Sequence, residues 1–228
     1  MLLHLKKILA PDELRAARAL LGPDAPWIDG RSSAGGQALA RKNNDQLAQD
    51  SEASRQLQAP VVAAVQRDPL FFSAALPHKI FNPLFNRYSG ETNHYGAHVD
   101  NAVMHSRNPP QWVRTDLSCT LFLSEAHEYE GGELVIHQPQ GERRVKLAAG
   151  DLVLYPGSTL HEVTPVTRGA RIASFFWIES MVASTEQRQL LFEMDMALVK
   201  LRSRGEDDAA VVQLTGTYHN LLRMWART

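Results

Sequence analysis

The sequence predicts a mainly β core that is flanked by helices on both sides. Between residues 71 and 180, short runs of β-branched and aromatic residues follow one another at close spacing, separated by Gly, Pro and polar clusters. Such spacing indicates an antiparallel sandwich or barrel, because parallel βαβ units would need helical segments between the strands. After residue 181 the apolar residues recur at helical spacing, which predicts a helical C-terminal segment.

The predicted core, residues 78–180, divides into individual strands. They are the segments KIFNPLFNRYS, TDLSCTLFLS, GELVIHQ, RRVKLAA, DLVLYPG, LHEVTPVT and ARIASFFWIE. Turn-forming residues separate them, as in the Pro156–Gly157 pair that is expected to turn the chain before the segment containing His161.

Residues 1–77 are predicted to form a mixed helical and strand segment that packs on this core. Residues 1–9 are typical of a short strand, and Pro11 opens an amphipathic helix. Residues 27–29 are a further expected strand. From residue 46 to residue 67 the apolar spacing predicts a helix that is broken or kinked at Pro60, because proline cannot donate the helical hydrogen bond.

Residues 181–228 are predicted to be a helical appendage. The segment STEQRQLLFEMDMALVKLRSR has the spacing of a long amphipathic helix, Gly205 ends it, and residues 207–227 predict a second helix. Their apolar stripe fits packing on the barrel and packing on a second subunit, so a homo-oligomer formed through these helices is one expectation.

Composition limits the class of protein. Of 228 residues, 44% are hydrophobic and 21% are charged, which indicates a globular chain and excludes a fibrous or disordered one. The net charge is −1, so no partner such as nucleic acid or an anionic membrane is expected. Cys119 is the only cysteine, which fits a reducing compartment. The N-terminus lacks a signal-peptide pattern and no apolar stretch could span a bilayer, so a cytoplasmic location is expected.

The segment YGAHVDN, residues 95–101, places His98 and Asp100 two positions apart. Two is the repeat of a β-strand, so both side chains should lie on one face, as half of a metal site or as a hydrogen-bonded pair. His161 is the best third group, because a jelly roll would bring the start of its strand next to the end of another strand. Two imidazoles and one carboxylate form the facial triad of non-heme Fe(II) oxygenases. Zinc is less favoured, since it usually takes a tetrahedral set and no HExxH motif occurs.

Arg171 strengthens this interpretation. It lies ten residues after His161 and opens an otherwise apolar strand. A charge in such a strand is costly unless it meets an anion, and the planar guanidinium binds a carboxylate through two hydrogen bonds. The alternative is an arginine at the barrel rim that pairs with Glu133 or Asp151. Together with the predicted triad, the pattern favours a ligand carboxylate.

Four segments, in this order, resemble the Fe(II)- and 2-oxoglutarate-dependent dioxygenases of the prolyl 4-hydroxylase type. They are NRYSGETNHYGAHVDN, LSCTLFLS, YEGGELVI and GDLVLYPGSTLHEVTPVTRGARIASFFWIES, and the match covers about residues 78–180. With its C-terminal helical appendage the chain is most similar to the bacterial PKHD-type hydroxylases, some of which are associated with iron uptake.

The resemblance implies a double-stranded β-helix (jelly roll), Fe(II), 2-oxoglutarate as cosubstrate, molecular oxygen, and ascorbate as a reductant. It implies that an unactivated C–H bond is hydroxylated while succinate and CO2 are released. By position, the metal ligands would be His98, Asp100 and His161. Arg171 would hold the far carboxylate of 2-oxoglutarate, and Tyr88 would border the cosubstrate.

The chain departs from its relatives at two positions. Collagen-type relatives have lysine where this chain has Arg171, which changes the geometry but not the sign of the charge. Oxygen-sensing animal relatives carry a tyrosine near the position of Phe122, where it helps to hold the cosubstrate. Phenylalanine cannot donate a hydrogen bond, so this contact is expected to be missing or supplied elsewhere.

Two residues near the predicted metal site are weaker candidates. Asn101 is a candidate for a substrate or supporting contact, and a solvated loop residue is an equal alternative. Arg107 lies with His105, Trp112 and Arg114 in a polar segment that we expect to be a loop. Such a loop could cover the site as a lid or simply be exposed.

Two other functions use the same predicted barrel. A cupin-like module could bind a metal or small ligand without turnover, but it would not need Arg171. A metal-dependent hydrolase or isomerase would need a positioned acid or base, and none is obvious. The oxygenase is therefore favoured. Its substrate stays open between peptidyl proline, another amino-acid side chain and a siderophore-like small molecule.

Overall fold

The computed structural model describes residues 1–33, 39–107, 109–205 and 209–228. The strands are β1 (Leu3–Leu5), β2 (Trp27–Asp29), β3 (Lys42–Asn43), β4 (Asp45–Leu47), β5 (Pro77–Ile80), β6 (Leu84–Ser89), β7 (His94–His98), β8 (Val103–Arg107), β9 (Pro110–Arg114), β10 (Leu117–Phe122), β11 (Tyr129–Gly131), β12 (Leu134–Gln138), β13 (Gly141–Val145), β14 (Leu152–Pro156), β15 (His161–Val163) and β16 (Val166–Ser180). The α-helices are α1 (Pro11–Leu20), α2 (Glu52–Gln66), α3 (Pro69–Ala75), α4 (Thr185–Ser203) and α5 (Ala209–Trp225).

Two antiparallel sheets face each other and enclose the barrel. The larger sheet has the order β1-β14-β10-β16-β6-β4-β2, and β5 and β11 also pair with β16. The smaller sheet has the order β13-β12-β15-β7-β3. The mainly β jelly-roll fold with flanking helices that the sequence predicts is therefore confirmed, and strands from the N-terminal segment extend both sheets.

The long strand β16 shows how the sequence divides the two faces of the larger sheet. Side chains alternate across a strand. Ile172, Phe176 and Ile178 belong to the hydrophobic core beneath the N-terminal helices. Arg171 and Trp177 face the other way, into the barrel. The same alternation on β10 directs Phe122 into the barrel cluster of Tyr88 and Tyr129.

The helices cover the outer face of the larger sheet. Polar side chains cap three of them: Ser51 caps α2, Asp68 caps α3 and Ser184 caps α4, each accepting a hydrogen bond from a backbone N–H of the first turn. The C-terminal pair forms its own cluster with Leu76 and Val182 at its base. No helix in the described parts of the chain is long and apolar enough to cross a membrane.

Three local predictions need correction. The helix expected from residue 46 begins at Glu52, because residues 45–47 form strand β4 between β2 and β6 instead, and it runs through Pro60 without ending there. Helix α3 was not predicted, since its short apolar sequence also suits a strand. The segment expected to be a loop after the His-X-Asp motif is the hairpin of β8 and β9.

The glycine pair at the end of β11 predicts a large effect on stability. Gly131 has a φ of +69°, and a Cβ there would stand 2.0 Å from the backbone oxygen of Pro165. Gly131→Ala should lower the free energy of unfolding by at least about 3 kcal/mol, because left-handed strain adds to a backbone clash. Gly90→Ala is the matched control, since Gly90 has a φ of +55° and no atom within 4 Å of a Cβ. The free energy of unfolding of Gly90→Ala should fall by only about 1–2 kcal/mol. Equal losses in urea denaturation would contradict the clash.

Candidate functional site

A cavity of about 580 Å³ opens between the two sheets. Its wall follows the inward residues of β16 and β6, from Arg171 and Tyr88 at one end to Phe175 and Trp177 at the other. The side chains of His98, Asp100 and His161 line it from the smaller sheet and the loop after β7.

These three side chains converge on one point. His98 ends β7 and His161 begins β15, and the antiparallel pairing sets the two residues directly opposite each other. The Oδ1 atom of Asp100 lies 4.0 Å from Nε2 of His98 and 3.9 Å from Nε2 of His161. One ligand atom from each residue lies within 4.8 Å of the others. Two imidazoles and one carboxylate at this spacing could hold a divalent metal ion on one face.

Neighbouring groups orient the three side chains. Nδ1 of His98 contacts the carbonyl of Gly96 at 2.8 Å, and Nδ1 of His161 contacts the carbonyl of Thr159 at 2.9 Å. Because a carbonyl only accepts, each Nδ1 carries the proton and each Nε2 keeps its lone pair for a metal. The hydroxyl of Ser118 donates to Oδ2 of Asp100 at 2.6 Å, which leaves Oδ1 facing the imidazoles.

The surroundings also favour a neutral His98. Burial is the main cause that lowers its pKa to about 4, and the nearby His161 lowers it further, whereas the Gly96 carbonyl and Asp100 act in the opposite direction. The imidazole is therefore deprotonated at neutral pH, which is the form that binds metals.

Arg171 lies at the closed end of the cavity and is 1% exposed. Its guanidinium carbon is 5.2 Å from the ring centre of Tyr88 and 5.1 Å from that of Phe122. Nε and Nη1 are buried and have no hydrogen-bond partner among the described residues. Buried donors of this kind are costly when left unpaired, so the site is built for an anion.

The alternative of an ion pair at the barrel rim is wrong. Glu133 accepts a hydrogen bond from Arg144 at 2.8 Å, and Asp151 contacts His4 at 2.7 Å and the backbone N–H of Lys7 at 2.8 Å. Both carboxylates are committed to other partners, and Arg171 points inward.

Tyr129 is a site residue that the sequence did not reveal. Its buried hydroxyl makes no hydrogen bond of normal geometry within the described part of the chain, but it faces the guanidinium of Arg171, which acts on it both as a charge and as a hydrogen-bonding group. Burial raises the pKa of this phenol, although Arg171 opposes the shift, so the hydroxyl keeps its proton as a donor. Gly132 permits this arrangement, since a Cβ there would stand 3.0 Å from the Tyr129 ring and 3.1 Å from Cδ of Arg171.

The other predicted site residues lie at different depths of the cavity. Tyr88 is buried opposite Arg171 on β6. Asn101 and Arg107 both line the cavity from exposed positions. Asn101 donates to the sulfur of Met104 at 3.7 Å. Trp112 in the neighbouring strand is 65% exposed.

Lys42 and Asn44 also line the cavity and were not predicted. Lys42 is 6% exposed and Asn44 is 1% exposed. Burial lowers the pKa of Lys42 to about 8, while the charges of Asp100 and Asp29 act to raise it. Strand β3 has only two residues, and a segment this short gives no periodic signal in the sequence.

Comparison with known proteins agrees with this geometry. Residues 83–179 match the 2OG-Fe(II) oxygenase superfamily, and residues 186–227 match the PKHD-type hydroxylase C-terminal domain. A PKHD-type hydroxylase of Polaromonas sp. is 59% identical over 228 residues and covers all of both chains. One of Variovorax paradoxus is 59% identical over 226 residues and covers 99% of each.

Solved structures share the fold at lower identity. A prolyl-4-hydroxylase of Pseudomonas putida superposes with a TM-score of 0.53 at 20% identity, covering 78% of this chain and 92% of that one. A prolyl hydroxylase of Trichoplax adhaerens gives 0.56 at 16% identity, covering 83% and 86%. The full-length relatives carry the assignment further than these folds: the chain belongs to the PKHD-type hydroxylases and is an Fe(II)- and 2-oxoglutarate-dependent dioxygenase.

Proposed function

We propose that this dioxygenase hydroxylates an unactivated C–H bond, with His98, Asp100 and His161 as the Fe(II) ligands and Arg171 as the anchor for 2-oxoglutarate. The observation that carries this proposal is the buried guanidinium of Arg171, whose Nε and Nη1 atoms have no hydrogen-bond partner among the described residues, in the same cavity as the three convergent ligand atoms. A metal site alone would not require a buried cation at the far end of its cavity.

The residues present fit both groups. The donor set is the one that non-heme Fe(II) oxygenases use, and the paired Nδ1 atoms leave both Nε2 atoms available. The unpaired donors of Arg171 match one carboxylate of a dicarboxylic acid. Bound Fe(II) and 2-oxoglutarate supply the activation of oxygen, which ends in hydroxylation of the substrate with release of succinate and CO2.

The side chains of this protein would bind the metal and the cosubstrate, orient them and keep water out of the cavity. The carbonyls of Gly96 and Thr159 fix the two imidazoles, and Ser118 fixes the carboxylate of Asp100. At the closed end, Arg171 and Tyr129 take the far carboxylate, so Tyr129 supplies the hydroxyl that Phe122 lacks. Tyr88 covers one face of the guanidinium. No described side chain needs to act as a nucleophile.

The substrate meets the other end of the cavity. Phe175 and Trp177 line it there, and Asn101 and Arg107 stand at its edge as substrate contacts. An amino-acid side chain or a siderophore-like small molecule fits this description, and the latter would link the enzyme to iron uptake. The use of ascorbate, the cytoplasmic location, the domain limits and an oligomer through α4 and α5 stay predictions.

Spectroscopy on the loaded protein tests the proposal directly. Adding 2-oxoglutarate anaerobically to the Fe(II)-loaded protein should produce a weak visible metal-to-ligand charge-transfer band that bleaches when oxygen is admitted. His161→Ala should lose the band, because one of three ligands is gone. His137→Ala is the control, since His137 contacts Glu142 and Glu162 instead of the cavity. A wild-type protein without the band at saturating iron and 2-oxoglutarate would contradict the proposal.

Ser118 should control iron affinity without touching the metal. Ser118→Ala removes the donor to Oδ2 of Asp100 and should weaken Fe(II) binding by about tenfold, the usual effect of losing a group that orients a ligand. Competition with a metal-sensitive dye measures this affinity. Ser174→Ala is the matched control, because Ser174 is buried and its hydroxyl has no partner among the described residues. Equal Fe(II) affinities for both variants would show that Ser118 does not support the metal site.

Tyr129→Phe should specifically weaken the binding of 2-oxoglutarate. The variant loses one donor to a carboxylate, so the Kd of 2-oxoglutarate should rise about tenfold, and Arg171→Ala should raise it further. The probe that separates the roles is 2-oxopentanoate, which keeps the keto-acid end and lacks the far carboxylate. Wild type and Tyr129→Phe should bind it equally in anaerobic titrations. A parallel loss for both ligands would assign Tyr129 a purely structural role.

A further inference from the structure

One polar part of the cavity wall is used neither by the metal ligands nor by the Arg171 end. It consists of Lys42 on β3, Asn44 after it, and Asn86 on β6, and these three residues are called the amide–lysine wall below. All three are buried. They are polar groups gathered at one place in a cavity that also has aromatic walls, which is the usual composition of a binding site.

The lysine brings a cation close to the metal ligands. Lys42 pairs with Tyr95 on β7, the strand that ends in His98. Its Nζ atom is 5.3 Å from the ring centre of Tyr95 and 6.0 Å from that of Phe175. The ammonium therefore lies between the smaller sheet and the larger one, inside the cavity.

The amides bring polar atoms that the fold leaves open. Nδ2 and Oδ1 of the Asn44 side chain are buried and have no hydrogen bond of normal geometry among the described residues, although Asn44 lies close enough to the Tyr88 hydroxyl to act on its pKa. The carbonyl oxygen Oδ1 of Asn86, an acceptor, is also buried without a partner among these residues. The Nδ2 atom of Asn86 reaches the hydroxyl of Tyr88 only at 3.4 Å. Buried amides are normally satisfied, so open ones at a cavity indicate a ligand or ordered water.

The position of the wall separates it from the cosubstrate site. On paired strands β16 and β6, Arg171 stands opposite Tyr88, and Ala173 stands opposite Asn86. Asn86 is thus one inward step, roughly 7 Å, closer to the end lined by Trp177. This region lies away from Arg171 and beside Tyr95, which stacks on His98, so a group bound here would be close to the proposed metal ligands and apart from the proposed 2-oxoglutarate anchor.

We propose that the amide–lysine wall binds a carboxylate group of the primary substrate and that the enzyme therefore acts on carboxylate-bearing molecules. The ammonium of Lys42 supplies the charge, and Nδ2 of Asn44 supplies a further donor. Nδ2 of Asn86 adds a second one, because its contact with the Tyr88 hydroxyl is 3.4 Å long. Charge-assisted hydrogen bonds of this type are the strong ones. The inference rests on the proposed function, because it takes the neighbouring metal site as the point of reaction.

A relaxation experiment tests the wall with a named probe. Protein loaded with Mn(II) and 2-oxoglutarate is titrated with [1-¹³C]acetate, and the paramagnetic enhancement of the carboxyl carbon relaxation reports binding near the metal. Wild type should show saturable enhancement below about 100 mM, and neutral [1-¹³C]acetamide should bind at least about tenfold more weakly. Lys42→Met should lose the preference for acetate, and Lys42→Arg should retain it.

Each other outcome has a definite meaning. Equal enhancement in wild type and Lys42→Met would mean that acetate binds the metal or Arg171, and it would overturn the inference. An absence of enhancement in wild type would also overturn the inference and would mean that the amides bind ordered water instead. A Kd for 2-oxoglutarate that rises in Lys42→Met as it does in Arg171→Ala would move Lys42 into the cosubstrate site. If wild type binds no 2-oxoglutarate, the proposed function itself fails. Thermal unfolding of Lys42→Met confirms that the variant folds.

Discussion

The pairing of β7 with β15 is the constraint on which the rest of the site depends. It sets His98 opposite His161, and because side chains alternate along a strand, a slip of one residue would turn one imidazole out of the barrel. The pairing is supported on both sides. β12 aligns Ile136 with His161, and the ring of Tyr95 stacks on His98 with centres 3.6 Å apart. The register of the sheet therefore fixes the relative positions of the two imidazoles in the proposed metal site.

The cavity contains positively charged side chains, which suit the two anions that it is proposed to bind, 2-oxoglutarate and a substrate carboxylate. Arg171 and Lys42 are both buried, and removing a cation from water costs free energy that other contacts must offset. The fold must offset this cost elsewhere, and the hydrophobic core on the outer face of the larger sheet provides the apolar burial that does so. The separation of faces by strand alternation allows one sheet to stabilise the fold on one side and hold charge on the other.

Site residues that follow a local sequence pattern could be predicted, whereas residues brought to the site by pairing between distant segments could not. The triad was predictable because His98 and Asp100 keep the two-residue repeat and His161 begins a strand after a clear turn. Arg171 was predictable because it interrupts an apolar run. Tyr129 was not, since its approach to Arg171 depends on a pair of glycines and on a bulge between β11 and β16. Lys42 was not, because a two-residue strand has no period.

The N-terminal segment belongs to the site and does more than pack against it. Strand β3 extends the smaller sheet beside β7, and β4 extends the larger sheet beside β6. Lys42 on β3 and Asn44, which connects β3 to β4, both line the cavity. The proposed metal ligands and Arg171 come instead from the barrel strands and the loop after β7. Of the amide–lysine wall, only Asn86 comes from a barrel strand, β6. Under the proposed function, substitutions at Lys42 and Asn44 should therefore change the binding of the substrate group more than they change the binding of the metal or of 2-oxoglutarate.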